Sequence, residues 1–316
     1  MDKKQILKAV QYFKERVMKE NIKLPNWVRI VEVGPRDGLQ NESKILEPSF
    51  KTDMINKLIE TGISHIECGS FVSPKWVPQM ANSKEVINGI VLPSDKKDNI
   101  VISALVPNEK GLEAALQSKI NEIAVFTAAS ETFVKKNINC TIKESLNKFE
   151  PVILKATENG LRVRGYVSCV MGCPYEGDID PAIVNDVTNE LLKMGCYEVS
   201  LGDTIGIGTP DKAKKLFDAL SAPTDKLAMH FHDTYLNAIE NILVGLERGV
   251  GVIDSAVGGL GGCPYAKKKV GNVCTENIVD LCNNLGIQTG INIELLKQYS
   301  KEITKELDRE VEYLFE

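Results

Sequence analysis

The sequence predicts an α/β protein, a closed (β/α)8 TIM barrel with an N-terminal helix and extra C-terminal helices. Eight short apolar segments of β-type composition recur along the 316 residues. Segments with helical spacing of apolar residues separate them, and this alternation implies a parallel sheet with right-handed crossovers. Eight such units favour a closed barrel over an open doubly wound sheet. The predicted strands span residues 29–33, 65–69, 99–107, 122–127, 162–170, 197–203, 226–233 and 250–257.

Three of the intervening segments carry clear helix signals. Residues 49–62 place apolar side chains on one face and end at Gly62, a common helix stop. Residues 180–195 begin with an aspartate cap and a proline at the first helical position, and they end on glycine. Residues 237–249 follow a similar pattern. These helices are the crossovers that a parallel barrel needs.

The chain is predicted to form one catalytic barrel between two helical extensions. We expect an N-terminal helix within residues 1–26, the barrel over 27–290, and a helical extension over 291–316 packed on the barrel. No Pro/Gly/Ser-rich linker or low-complexity segment divides the chain. Active sites of such barrels lie where the strands end, so each candidate residue is judged by that position.

Composition describes a globular protein and argues against several functions. Hydrophobic residues make up 43% of the chain and charged residues 26%, which allows an ample core. A net charge of −5 argues against a nucleic-acid partner, and no apolar run approaches the ~20 residues that cross a membrane. The eight cysteines lack metal-finger spacing and no secretory signal precedes them, so reduced thiols and a cytoplasmic location are expected.

Two of the three histidines lie at the end of the seventh predicted strand, in the segment MHFHDT. His230 and His232 are two residues apart, so on a strand both imidazoles face the same side. This convergence favours a metal-ligand pair over two independent core histidines. The third, His65, stands alone on the second predicted strand and is expected to be structural.

Two residues at other strand ends could add oxygen ligands to this pair. Asp37 follows the first strand in GPRDGLQNE, and Asn272 ends the loop after the eighth strand. Two imidazoles with oxygen ligands suit a divalent cation that binds and polarises a substrate. Ligand type alone leaves iron(II), manganese, magnesium and zinc open. The adjacent Arg36 is then either half of a surface ion pair with Asp37 or a second functional group of the same site.

Seven motifs, in order from about residue 27 to residue 296, resemble the 3-hydroxy-3-methylglutaryl-CoA (HMG-CoA) lyase family. They are VEVGPRDGLQNE, SFVSPKWVPQM, AASETFVKKNINC, RGYVSCVMGCPYEGD, MGCYEVSLGDTIGIGTP, HFHDTY and GLGGCPYAKKKVGN. The resemblance implies a metal-dependent TIM barrel of the pyruvate carboxyltransferase-like superfamily of lyases and carboligases. It also implies an acyl-CoA substrate, Mg²⁺ or Mn²⁺ as the ion, and a homodimer.

By motif, the resemblance assigns roles to residues of this chain. It implies metal ligation by Asp37, His230, His232 and Asn272. It implies active-site roles for Arg36, Cys263, Glu67 and Asp203. Substrate contacts are expected from Arg36, Lys267 and Lys268. The two lysines would reach CoA phosphates, although a solvated run of charge explains them equally well.

The implied reaction is the retro-Claisen cleavage of HMG-CoA to acetyl-CoA and acetoacetate. The tertiary hydroxyl must lose a proton, and the departing fragment leaves as a thioester enolate. A cation held by Asp37 would assist the first event, and Arg36 would stabilise the enolate charge. The thiol of Cys263 has a pKa range suited to returning a proton to the enolate carbon.

Several features leave alternatives open. The glycines at 258, 259, 261 and 262 predict a mobile lid that carries Cys263, or else a plain surface loop. Cys68-Gly69 replaces the hydroxyl-bearing residues more usual after the glutamate at 67. One rival function is a carboligase that joins acetyl-CoA to a 2-oxo acid, but such enzymes typically have a Glu-Arg pair where this chain has Cys263-Pro264. The other rival is a non-catalytic CoA-binding barrel, which the complete set of candidate residues argues against.

Overall fold

The computed structural model confirms the predicted barrel, and it describes residues 2–95, 97–262 and 271–315. Eight parallel strands follow one another in chain order, and the last pairs with the first to close the barrel. The strands are β1 Arg29–Glu32, β2 His65–Ser70, β3 Val101–Leu105, β4 Glu122–Ala128, β5 Arg162–Ser168, β6 Glu198–Asp203, β7 Leu227–Phe231 and β8 Val252–Ser255.

Helices connect the strands and cover the outside of the barrel. They are α1 Lys3–Glu20, α2 Pro48–Glu60, α3 Ser83–Gly89, α4 Glu109–Ala115, α5 Glu131–Ile138, α6 Ile142–Glu158, α7 Pro181–Lys193, α8 Pro210–Ala219, α9 Ala238–Glu247, α10 Thr275–Asn284 and α11 Ile293–Glu306. The three helices predicted from start and stop signals are α2, α7 and α9. At α7 the Asp180 side chain accepts a hydrogen bond from the Ala182 N–H at 2.9 Å, as the cap signal predicted.

The two terminal helices pack outside the barrel wall. Helix α1 buries Ile6, Val10 and Phe13 and packs against α9. Helix α11 packs against α2 and α10. Across the described part of the chain, no helix combines the length and the apolar character that crossing a membrane requires.

Charged and polar side chains fill much of the barrel interior, where branched aliphatic residues are usual. Arg164 on β5 is among the largest fully buried side chains. Its Nε donates to Glu198 Oε1 at 2.8 Å, and its two terminal nitrogens donate to the two oxygens of Asp254 at 2.6 and 3.0 Å. These three residues join β5, β6 and β8 across the interior.

A third buried carboxylate, that of Glu32, joins the two ends of the barrel near the strand ends. Glu32 Oε1 accepts hydrogen bonds from the Gly34 N–H at 2.7 Å and the Val257 N–H at 3.0 Å. Its Oε2 accepts from the Thr275 hydroxyl at 2.7 Å. Glu32 therefore ties the end of β1 to the segments that follow β8. Burial raises the pKa of this carboxyl to about 7.

We predict that Glu32→Gln removes a pH dependence of stability. Because the pKa is raised on folding, the parent's stability is full below the ordinary value of 4.5 and falls as pH rises towards about 7. The unfolding free energy of Glu32→Gln minus that of the parent should therefore rise by on the order of 3 kcal/mol from pH 4.5 to pH 8, because the parent loses stability over this range and the variant does not. Urea titrations at several pH values measure it. Glu306→Gln, which removes a half-exposed carboxylate, is the control, and a constant gap for Glu32→Gln would contradict the prediction.

Candidate metal centre and active-site cavity

A cluster of two imidazoles and one carboxylate lies at the ends of the strands, where the sequence predicted it. Asp37, His230 and His232 each offer one ligand atom, and these atoms lie within 4.8 Å of one another. The Nε2 atoms of both histidines are 3.8 Å from Asp37 Oδ2. These separations are too long for direct hydrogen bonds between the imidazoles and the carboxylate.

Local backbone structure brings these groups together. After β1 the chain makes a short π-helical turn, Gly34–Gly38, which carries Arg36 and Asp37 over the strand ends. His230 is on β7, and His232 follows it with its N–H donating to the Asp203 carbonyl at 3.2 Å. A backbone bridge pairs His232 with Asn272. The cluster is thus assembled from the first, the seventh and the eighth strand ends.

Asn272 lies at the cluster, but its amide nitrogen rather than its oxygen faces Asp37. The Nδ2 group donates to Asp37 Oδ2 at 2.8 Å and to the Leu260 carbonyl at 3.2 Å. Within the described ranges, the buried Oδ1 has no hydrogen-bond partner. An orphaned buried oxygen at this place fits a site for a cation. Ligation by Asn272 stays a prediction.

The ionisation of the cluster also suits a cation. Burial opposes the charge of Asp37, but Arg36 and the two imidazoles overcome it and hold the pKa of this carboxyl well below its usual range. Burial and the neighbouring His230 lower the pKa of His232 to about 4. At neutral pH the cluster therefore presents a carboxylate and a neutral imidazole, which are the ligand forms that metals require.

Arg36 is not half of a surface ion pair. The residue is 6% exposed, and its Nη1 donates to Asp37 Oδ1 at 2.6 Å. Its Nε donates to Glu67 Oε1. The two carboxylates outweigh the cost of burial and raise the pKa of the guanidinium above its usual value. The positively charged guanidinium of Arg36 is thus held in a fixed position directly beside the candidate metal centre.

Three residues that the sequence analysis did not single out complete a ring of contacts around the site. The Tyr166 hydroxyl donates to Glu67 Oε2 at 2.9 Å, and Arg164 Nη1 donates to the same hydroxyl at 3.0 Å. Arg164 binds Asp254, and Asp254 Oδ2 lies 3.2 Å from His230 Nδ1. The polar alternation in RVRGYVS of β5 was the available signal, because alternate strand residues face the barrel interior.

Glu67 supports Arg36 from a bulge in β2. The pairing of β2 with β3 shifts between Glu67 and Gly69, so Cys68 is an extra residue buried in the core. A Cβ at Gly69 would lie 2.5 Å from Ser83 Oγ, which explains why no side chain stands there. Cys68 and Gly69, which depart from the family pattern, therefore affect how β2 packs against Ser83 and the core behind the strand. Glu67 itself is 1% exposed and faces Arg36.

Asp203 lies at the end of β6, and its carboxylate turns to the following loop. Its Oδ2 accepts from the Gly208 N–H at 2.8 Å, and no hydrogen-bond partner of Oδ1 occurs in the described residues. Burial raises the pKa of this carboxyl to about 6. The geometry gives Asp203 a role in shaping the β6 loop; its active-site role stays a prediction.

The glycine-rich segment after β8 packs directly on the site. Gly261 has a positive φ of 114°, and a Cβ there would lie 2.7 Å from Asn272 Nδ2. The Gly262 carbonyl accepts a hydrogen bond from Asn41 Nδ2 at 2.7 Å. The predicted roles of Cys263, Lys267 and Lys268 fall outside the described residues, so the lid is a prediction beyond Gly262.

A cavity of about 610 Å³ opens over the cluster. Arg36, Asp37, His230 and His232 are among the residues that line it. The motif SFVSPKWVPQM adds Val72, Trp76 and Pro78, and Trp76 is 86% exposed. Leu105 and Phe126 are among the apolar lining residues. The volume suits a small-molecule substrate whose reacting part contacts the charged lining residues.

Comparison with known proteins points to one family. The HMGL-like family profile matches residues 27–303. A Pseudomonas aeruginosa protein named 3-hydroxy-3-isohexenylglutaryl-CoA/hydroxy-methylglutaryl-CoA lyase is 52% identical over 282 residues, which cover 89% of this chain and 93% of the relative. The human mitochondrial hydroxymethylglutaryl-CoA lyase is 50% identical over 288 residues, covering 90% and 87% of the two chains.

Solved structures agree with this result. The hydroxymethylglutaryl-CoA lyase of Pseudomonas aeruginosa superimposes with a TM-score of 0.88 at 51% identity, covering 91% of this chain and 95% of that one. An HMG-CoA lyase from Acinetobacter baumannii in complex with coenzyme A and 3-methylmalate gives a TM-score of 0.84 at 34% identity, covering 90% and 93%. The carboxyl transferase domain of Rhizobium etli pyruvate carboxylase, at 18% identity, shares the fold.

We predict that His232→Ala loses bound divalent cation while His65→Ala keeps it. His232 offers one of the clustered ligand atoms, whereas His65 lies on β2 beside Ser64, 3.0 Å from its hydroxyl. Elemental analysis after loading with Mn²⁺ and gel filtration measures the difference, and circular dichroism checks that both variants fold. Equal metal content in the two variants would contradict the assignment of the cluster.

Proposed function

This chain belongs to the HMGL-like family, and we propose from that membership that it cleaves HMG-CoA to acetyl-CoA and acetoacetate in a metal-dependent retro-Claisen reaction. The observation that carries the proposal is that a buried arginine and a cluster of two histidines and one aspartate line the same cavity of about 610 Å³. Relatives about half identical over most of their length bear the name of this lyase.

We propose Asp37, His230, His232 and Asn272 as the residues that hold the cation, with Mg²⁺ or Mn²⁺ as the ion. When bound, such a cation supplies a Lewis acid that favours loss of the proton from the substrate hydroxyl. The protein holds Asp37 ionised and His232 neutral, so neither group needs to lose a proton to ligate.

Arg36 is the proposed stabiliser of the enolate. Its guanidinium is fixed by Glu67 on one side and Asp37 on the other, so it needs no reorganisation when negative charge develops on the thioester oxygen. Glu67 accepts the hydrogen bond from Arg36 and is not among the described residues that line the cavity. The Tyr166 hydroxyl in turn donates to Glu67. The pKa of the Tyr166 hydroxyl is raised well above its usual value by burial, which keeps it a donor to Glu67.

The enolate carbon finally needs a proton, and Cys263 is the proposed source. The glycine-rich segment that leads to it is held against Asn41 and Asn272, at the rim of the cavity. Lys267 and Lys268 follow in the same segment and are proposed to contact the CoA phosphates. The carboligase alternative lacks support in this segment, because Cys263-Pro264 stands where a Glu-Arg pair is expected.

The acyl group is the open part of the substrate. The Pseudomonas aeruginosa relative is named for both a methyl and an isohexenyl substituent, and the cavity here includes the apolar lining residues Leu105 and Phe126. We propose HMG-CoA as the substrate, with a cleavage assay across 3-hydroxyacyl-CoA esters of increasing substituent size as the direct test. Absence of cleavage of every ester by the Mn²⁺-loaded protein would refute the proposed activity.

We also propose that the protein is a homodimer in the cytoplasm. Light scattering on a sizing column tests the dimer.

We predict that Arg36→Gln lowers kcat for HMG-CoA cleavage at least ~100-fold with metal content almost unchanged. The reason is that the lost donor acts on charge that develops in the transition state. Steady-state assays with elemental analysis measure both quantities. Arg248→Gln, which removes an arginine of the surface pair with Asp218, is the control. A kcat within a few-fold of the parent would leave Arg36 a structural residue.

We predict that Cys263→Ser collapses kcat while metal content and CoA-ester binding persist. A hydroxyl ionises far less readily than a thiol, so proton delivery is lost although the shape is kept. Cys173→Ser is a matched control, because Cys173 also precedes a Pro-Tyr pair but is buried against Ser130, with its Sγ 3.0 Å from the hydroxyl oxygen. Turnover within about threefold of the parent would show that Cys263 is not the acid.

A further inference from the structure

The two imidazoles of the cluster are held differently. His230 Nδ1 lies 3.2 Å from Asp254 Oδ2, and β7 and β8 place these two residues side by side in register. His232 Nδ1 is buried, and no residue in the described ranges accepts or donates a hydrogen bond there. An outer carboxylate that receives the second ring N–H of a ligating histidine fixes both its tautomer and its orientation. Of the two histidines, only His230 has that support among the residues that the structure describes.

Asp254 is itself fixed on every side. It is 1% exposed, and Arg164 donates to both of its oxygens. The Ser200 hydroxyl donates to Oδ2 at 2.7 Å. Because an ionised carboxylate only accepts hydrogen bonds, the proton between Asp254 and His230 belongs to Nδ1 of the imidazole. The lone pair is then on Nε2, the atom that lies 3.8 Å from Asp37 Oδ2.

We propose that Asp254 is a positioning residue of the metal centre, which holds His230 as the Nδ1–H tautomer with Nε2 free to ligate, and that Arg164 holds Asp254 for this task. The proposal rests on the proposed metal-dependent function. Asp254 lies behind His230 and acts through it, so the consequence falls on metal affinity and on the state of the imidazole. Both can be measured without turnover.

The decisive comparison is Asp254→Asn against Glu198→Gln. Both changes replace a buried carboxylate that binds Arg164 by the matching amide, but only Asp254 contacts His230. An amide at position 254 has one oxygen for Arg164, and its NH₂ group then faces His230 Nδ1 and favours the opposite tautomer. We expect Asp254→Asn to weaken Mn²⁺ binding about 10–100-fold, and Glu198→Gln to stay within about threefold of the parent. Titration calorimetry of the metal-free proteins measures this.

Equal weakening in both variants would assign the effect to lost buried charge and overturn the proposal. An Asp254→Asn affinity within threefold of the parent would also overturn it. Failure of the parent to bind Mn²⁺ would refute the proposed metal dependence, while the tautomer of His230 would still decide the positioning role.

The tautomer is read in the unmodified protein, so it does not depend on the folding of a variant. The chain has three histidines, and ¹⁵N-labelled imidazoles give three separable sets of long-range ¹H–¹⁵N signals. His65→Ala and His232→Ala assign them by the loss of one set each. We expect His230 in the metal-free parent to show the Nδ1–H pattern. An Nε2–H or doubly protonated pattern would overturn the proposal.

Discussion

The bond between Arg164 and Asp254 is the interaction on which the rest of the site depends. A buried guanidinium and a buried carboxylate are both expensive to remove from water, and they are tolerated only when nearly every donor and acceptor is satisfied. Here Glu198, Tyr166, Ser200 and His230 complete that satisfaction. The pair therefore leaves little freedom in how β5, β6 and β8 sit against one another. The position of His230 follows from that arrangement.

The polar interior also explains how two arginines and three carboxylates can lie so close together. Charges alternate around the ring from Asp37 through Arg36, Glu67, Tyr166 and Arg164 to Asp254 and back to His230. Within this ring three carboxylates, those of Asp37, Glu67 and Asp254, face two guanidinium groups, which leaves one carboxylate in excess. Glu198, which also binds Arg164, is paired with Arg29 outside the ring. A cation held by the proposed ligands Asp37, His230 and His232 would balance this excess negative charge. If all the charged side chains of the ring had the same sign, they would repel one another.

Sequence reasoning recovers what is encoded locally. Strand and helix alternation is a local pattern, so the eight strands and their order were predictable, although bounds such as 99–107 for Val101–Leu105 ran too long. Residues at strand ends converge in any such barrel, so the sequence alone identified four candidate site residues: Arg36, Asp37, His230 and His232. Arg164 and Asp254 were missed because their partnership spans 90 residues and depends on which strand face turns inward. The bulge at Cys68 could not be predicted from the local sequence, because it depends on the packing of Ser83 behind β2.

The closure of the barrel by β1 and β8 has a consequence for how the protein is made. Asp37 emerges early from the ribosome, while His230, His232 and Asn272 lie in the last third of the chain. The clamp of Glu32 on the segments after β8 cannot form until Val257 and Thr275 have been synthesised. A nascent chain that ends just before Val257 already contains Asp37, His230 and His232, but it lacks Asn272 and the contacts through which Glu32 closes the barrel. The barrel that brings these three residues together is therefore closed only after the chain has been synthesised as far as Thr275.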